Sequence, residues 1–182
     1  MGNRALTRAV FLDRDGVVNE AVVRDGRPHP PALSELRLVP NAAPSLTSLR
    51  AAGYALLVVT NQPDIARGTR TQTEIDAIHA RLADELPIDG FYVCPHDDGD
   101  RCSCRKPLPG LIERAVRERA IDPAASFIVG DRWKDIAAGR TAGLTTIFID
   151  RGYAERAPDP PADVTLTSLE GAAAWILNRH PA

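Results

Sequence analysis

The sequence predicts an α/β protein, a single domain over residues 1–182, built on a doubly wound parallel sheet. Three observations carry this: strand-length apolar runs alternate with helical patterns, those runs stop abruptly at polar loops, and 182 residues suffice for one sizeable core.

Ala9-Val10-Phe11-Leu12 is an uninterrupted apolar run that ends at Asp13-Arg14-Asp15-Gly16, a buried strand leading into a loop. Asn41 is placed to cap a helix with Ala43, Leu46 and Leu49 on one face; Gly53 stops it, and a strand over 54–59 follows at once. Thr71-Gln72-Thr73-Glu74 has capping-box spacing and opens a helix with Ile75, Ile78 and Leu82 on one stripe, before the short strand Phe91-Tyr92-Val93. A helix over about 111–119 precedes the strand Phe127-Ile128-Val129, another covers about 133–142, and Thr145-Thr146-Ile147-Phe148-Ile149 is a further strand. Pro158, Pro160 and Pro161 mark a loop before a last short strand and a helix over about 168–178. Such alternation requires crossover connections, so helices cover both faces and ligands gather at the carboxyl ends of the strands.

A formal net charge of -2 with 25% charged residues gives no reason to expect nucleic acid or anionic lipid as partner. A small soluble ligand is expected instead. The first six residues hold no apolar run suited to a signal peptide, and no segment approaches the ~18 apolar residues of a membrane span, so the expected compartment is the cytoplasm. Two biases stand out: the 22 basic residues include only two lysines, Lys106 and Lys134, and all three cysteines fall between Cys94 and Cys104.

Four strand-end motifs carry chemistry. Asp13 and Asp15 lie two apart after the first strand, with Gly16 allowing a tight turn, so one carboxylate can attack phosphorus while the other handles the leaving oxygen's proton. A polar turn is the plainer alternative. Thr60-Asn61-Gln62 ends the next strand with a hydroxyl and two amides suited to holding a phosphoryl oxygen. Arg105-Lys106-Pro107 offers a compact ammonium to neutralise a transferring phosphoryl group, or else an ordinary solvated lysine. Gly130-Asp131-Arg132-Trp133-Lys134-Asp135 brings Asp131 to the same sheet edge, where it can complete an oxygen set for magnesium or simply cap a helix.

In order along the chain, Asp13/Asp15, Thr60, Lys106 and Asp131/Asp135 resemble the four motifs of haloacid dehalogenase (HAD) superfamily phosphatases, over roughly residues 8–152. The resemblance implies a Rossmann-like HAD fold with Asp13 as nucleophile and Asp15 as general acid/base. It also implies that Mg²⁺ is held by the Asp13 carboxylate, the Asp15 main-chain carbonyl and Asp131, that Thr60 and Lys106 bind the phosphoryl group, and that Asp135 positions Lys106 or the magnesium waters.

Cys94-Pro95-His96, five residues, then Cys102-Ser103-Cys104 give the Cys₃His composition of a closed zinc site in one short loop. Pairing two of them as a disulfide would leave an odd thiol in a charged segment. The expected Zn²⁺ is structural, and Cys104 leads directly into Arg105 and Lys106.

This loop, with Thr60-Asn61-Gln62 and Ile65-Ala66-Arg67-Gly68, is similar to the histidinol-phosphate and heptose bisphosphate phosphatases in particular. The resemblance implies no large cap domain and a small phosphorylated metabolite as partner; the sequence leaves the oligomeric state open, a monomer included. Arg67, Arg70, Arg105 and Arg132 beside the motif loops form a candidate second anion subsite, and Asn61 and Gln62 are further candidate substrate-binding residues. That favours the anomeric phosphate of D-glycero-D-manno-heptose 1,7-bisphosphate, in carbohydrate metabolism. Histidinol phosphate is the alternative, and the short zinc loop is closer to that form. An inactive zinc-stabilised binding module would not need both Asp13 and Asp15; a dehalogenase would not need Asp15 as acid.

Overall fold

The computed structural model describes residues 7–179; the segment read for a leader, residues 1–6, lies outside it. Six parallel strands form one sheet: β1 (Ala9–Leu12), β4 (Ala55–Asn61), β5 (Gly90–Cys94), β6 (Phe127–Gly130), β7 (Thr145–Ile149) and β8 (Val164–Leu166). Their order is β5-β4-β1-β6-β7-β8, so the winding reverses at β1. A crevice therefore opens at the carboxyl end of β1.

β1 is buried on both sides, and successive side chains alternate faces. Val10 and Leu12 join a core with α1 (Ala42–Ala51), α2 (Gln72–Glu85) and α5 (Leu169–Arg179) through Leu46, Ile78 and Ile176. Ala9 and Phe11 join a second core with α3 (Gly110–Arg119) and α4 (Trp133–Thr141) through Ile112 and Ala138. The doubly wound α/β architecture follows as expected. Among the described residues no helix is long and apolar enough to cross a membrane.

Local signals fared differently. The capping box of α2 forms, with Glu74 N donating to Thr71 Oγ1 at 3.2 Å and Thr71 N to Glu74 Oε2 at 2.7 Å. The expected side-chain cap at Asn41 does not form: Asn41 adopts a left-handed conformation, and its amide donates to Glu170 Oε2 at 3.0 Å instead. A tertiary partner on α5 outcompeted the local one. A small antiparallel hairpin, β2 (Val22–Arg24) and β3 (Arg27–His29), occupies the segment that has no room for a cap domain.

Candidate active site

The sheet register brings the motifs together. Leu12 pairs with Val58 and Val129, so the residues after β1, at the end of β4 and after β6 converge on one cavity of about 350 Å³. Its lining includes Asp13, Asp15, Thr60, Asn61, Lys106 and Asp135, and at its mouth Arg67, Arg105, Arg132 and Lys134. Sequence reasoning missed the hairpin's Arg27 and His29 and the later Glu155, which also line it.

At the centre the Lys106 ammonium makes three contacts: Asp13 Oδ1 at 2.7 Å, Asp135 Oδ1 at 2.5 Å and the Val59 carbonyl at 2.7 Å. Burial disfavours its charge, but Asp13 and Asp135 outweigh that and hold its pKa above the usual lysine range. Burial also pushes Asp13 up to about 6, against the pull of Lys106 and with Asp135 adding repulsion. Asp131 is raised well above the carboxylate range by burial, then by Asp13 and Asp135.

Donor atoms of Asp13, Asp131 and Asp135 all lie within 4.8 Å of one another. Three buried carboxylates around one ammonium leave excess negative charge, which a divalent cation would offset. Asp131 supports this: the Tyr153 hydroxyl beside it eases its charge, yet neither carboxylate oxygen makes a well-formed hydrogen bond. Gly16 allows the approach, since at φ +96° it is left-handed and a Cβ there would lie 1.8 Å from Asp131 Oδ2. The residues thus fit magnesium.

Asp15 faces donors only: Arg14 Nε at 3.1 Å and Nη2 at 2.9 Å, Asn19 Nδ2 at 3.0 Å and Gln62 Nε2 at 3.0 Å. Burial opposes its charge, but these donors, Arg14 foremost, hold its pKa below the usual range. Arg14 is fully buried and also reaches His79 Nε2 at 3.2 Å. His79 stacks on Phe91, and burial, then Arg14, pull it down to about 4.

Several residues expected to meet a ligand are held by protein partners. Gln62 is fully buried, donating to Asp15 and to Thr60 Oγ1 at 2.8 Å, and is not on the cavity wall. Asn61 lines the cavity, but its amide grips the Lys106 backbone from both sides, at 3.0 and 3.1 Å. Arg70 turns away to the carbonyls of Pro30 and Pro31. Arg67 is forked onto Asp97 at 2.7 Å, Arg105 donates to Asp98 at 2.6 Å, and Arg132 pairs with Glu155. Trp133 carries the Arg156 guanidinium on its ring at 3.5 Å.

Beside this cavity, Cys94, His96, Cys102 and Cys104 converge in the same sense. Their sulfurs are 3.1, 3.5 and 3.7 Å apart, and His96 Nδ1 is 3.3 Å from Cys104 Sγ. Those spacings exceed the ~2.05 Å of a disulfide and approach the edge of a tetrahedron with ~2.3 Å zinc–sulfur bonds. All three cysteines are free.

The comparisons decide the family. D-glycero-beta-D-manno-heptose-1,7-bisphosphate 7-phosphatase of Haemophilus ducreyi is 35% identical over 89% of this chain and 94% of that protein. The chain belongs to that HAD phosphatase family. The family member from Yersinia pestis is 36% identical over 93% of this chain and 89% of its own. A family model described as HAD-hydrolase-like matches residues 103–172. In three dimensions the family's fold is seen in D,D-heptose 1,7-bisphosphate phosphatase from B. bronchiseptica, complexed with magnesium and phosphate. That structure has a TM-score of 0.82 and 28% identity, covering 96% of this chain and 100% of that one. The chain is thus a phosphatase of the HAD class. The relatives are named for the phosphate at carbon 7, whereas the sequence expectation places cleavage at the anomeric carbon.

Proposed function

We propose that this phosphatase removes the 7-phosphate of D-glycero-D-manno-heptose 1,7-bisphosphate through an aspartyl-phosphate on Asp13. The observation that carries the chemistry is the cluster of Asp13, Asp131 and Asp135 at the strand ends, with Lys106 paired to Asp13 and Asp135. The relatives' names support the substrate over histidinol phosphate, and carbon 7 replaces the anomeric position.

An Asp13 oxygen attacks phosphorus, and the sugar oxygen leaves with a proton from Asp15. A water then gives its proton back to Asp15 and attacks the aspartyl-phosphate, releasing inorganic phosphate and restoring Asp13. The donors around Asp15 favour its carboxylate, the form the second step uses. For the first step, a monoanionic substrate phosphate can carry the required proton in. The Thr60 hydroxyl holds a phosphoryl oxygen and the Lys106 charge, fixed beside Asp13 by Asn61 and Asp135, offsets the negative charge of the phosphoryl group. Asp13, Asp131 and the main-chain carbonyl of Asp15 would hold Mg²⁺, which when bound offsets the charge of the carboxylates and phosphoryl oxygens.

Zn²⁺ on Cys94, His96, Cys102 and Cys104 would fix the loop that leads into Arg105 and Lys106. Free thiols in this arrangement suit the cytoplasm. Arg105 and Arg132 at the mouth supply charge for the phosphate that is not cleaved. Phosphorus NMR of the product tests the reading: loss of the carbon-7 signal with the anomeric one retained is expected, and the reverse pattern, or no turnover of the bisphosphate, would overturn it.

A further inference from the structure

Both lysines of this arginine-rich chain line the same cavity. Lys106 has its ammonium fully engaged, but among the described residues Lys134 has only the Trp133 ring, 5.7 Å from its nitrogen, and no close carboxylate. Its nearest carboxylate oxygen is Asp98 Oδ1 at 3.9 Å, on a side chain 72% exposed and already held by Arg105 at 2.6 Å. The Lys134 side chain itself is only 21% exposed.

Lys134 stands in the first turn of α4, between Arg132, whose side chain lies at the mouth, and Asp135, whose carboxylate reaches Lys106. Arg105 and Arg132 are each matched by one carboxylate, Asp98 and Glu155 respectively. Asp97 is 3.8 Å from Arg105 but is forked onto Arg67. Arg67, Arg105, Arg132 and Lys134 are matched in number by Asp64, Asp97, Asp98 and Glu155, but Lys134 is the one of the four with no carboxylate oxygen closer than 3.9 Å. Burial lowers the Lys134 pKa, and the like charges of Arg105 and Arg132 add to that against the pull of Asp98. An anion entering here would relieve this repulsion and meet two guanidinium forks.

We infer that Lys134 selects for a second phosphoryl group on the substrate, binding the phosphate distal to the one that Asp13 attacks. The inference rests on the bisphosphate reading above and adds a residue that the motif resemblance does not assign. A contact to the distal phosphate exists in both the bound substrate and the transition state. Its loss therefore shows in KM more than in kcat.

The test compares wild type, Lys134→Met and Lys134→Arg on the heptose 1,7-bisphosphate and on the 7-monophosphate, with thermal melts to check folding. Methionine keeps the packed stem and removes only the charge. Wild type should prefer the bisphosphate by kcat/KM. In Lys134→Met that preference should fall about 10-fold or more, mainly through a higher bisphosphate KM, the range for losing one charge-assisted hydrogen bond. Lys134→Arg should restore most of it. An equal loss on both substrates would assign Lys134 to the attacked phosphate and overturn the inference, as would an unchanged preference. A wild type with no preference overturns the bisphosphate reading itself, and this inference with it.

Discussion

The two ligand clusters beside the cavity are built by opposite means. Asp13 is far in sequence from Asp131 and Asp135 and is joined to them by the pairing of β1 with β6, which the buried cores on both faces hold in register. Cys94 ends β5, and His96, Cys102 and Cys104 lie in the loop that follows, whose regular element is a short turn of 3-10 helix at Asp98–Asp100. The sheet holds the carboxylates together against their own repulsion, so a cation there acts mainly on charge. In the cysteine loop, where Cys102 and Cys104 pack part-buried against the second core, an ion would add order beyond those contacts.

The sharpest break in that comparison is Asp13→Asn. Phosphate release should fall by about 10⁴-fold or more, because no other side chain is placed to take its part. The metal-free melting temperature should hold or rise, since one of three repelling carboxylates is gone. Cys104→Ser should do the converse. We expect the melting temperature to drop by about 5–10 °C, consistent with roughly 3 kcal/mol in a chain of this size, and activity to fall through misplacement of Lys106. Elemental analysis should find about one zinc per wild-type chain, and a fully active zinc-free preparation would reject the assignment.

Magnesium at 100 times its dissociation constant should stabilise wild type by about 2.7 kcal/mol, read as a shift in melting temperature. Asp131→Asn should lose most of that shift while keeping its zinc. Behind Asp15, the buried His79 provides a smaller, pH-dependent contrast. Its folded pKa is about 4, below the unfolded value of 6.5, so the unfolded state binds the proton more readily. The stability this confers is present above pH 6.5 and is lost as pH falls toward 4, by about 2 kcal/mol after allowing for screening. In urea unfolding, His79→Gln should show a shallower decline over that window. Smallest of all, Arg67→Gln removes an exposed fork to Asp97 and should change stability by less than about 1 kcal/mol.

Much of this was legible because strands buried on both faces read as continuous apolar runs with sharp polar ends. Asp13, Thr60 and Asp131 each fall just where such a run stops. The cysteine loop was legible because its ligands are local. The hairpin was not: Val22–Arg24 and Arg27–His29 are short and largely exposed, and Pro28 sits within the second strand. Nor were the residues after β7. Arg151 donates to the Gly16 carbonyl at 2.9 Å, Tyr153 lies against Asp131, and Glu155 pairs with Arg132, contacts set by tertiary approach without any periodic signal. Asn61 and Gln62 were found by type, but their partners were not, because an amide serves a backbone or a carboxylate as readily as a ligand.

The contact of Gly16 with Asp131 Oδ2, at 1.8 Å from where a Cβ would stand, has a counterpart at Gly130, where a Cβ would lie 2.1 Å from that of Asp135. Anyone grafting this chemistry onto another scaffold would need to copy two absent side chains along with the acids and the lysine. A faithful transplant that placed alanine at either position would carry every reactive group and still force them apart.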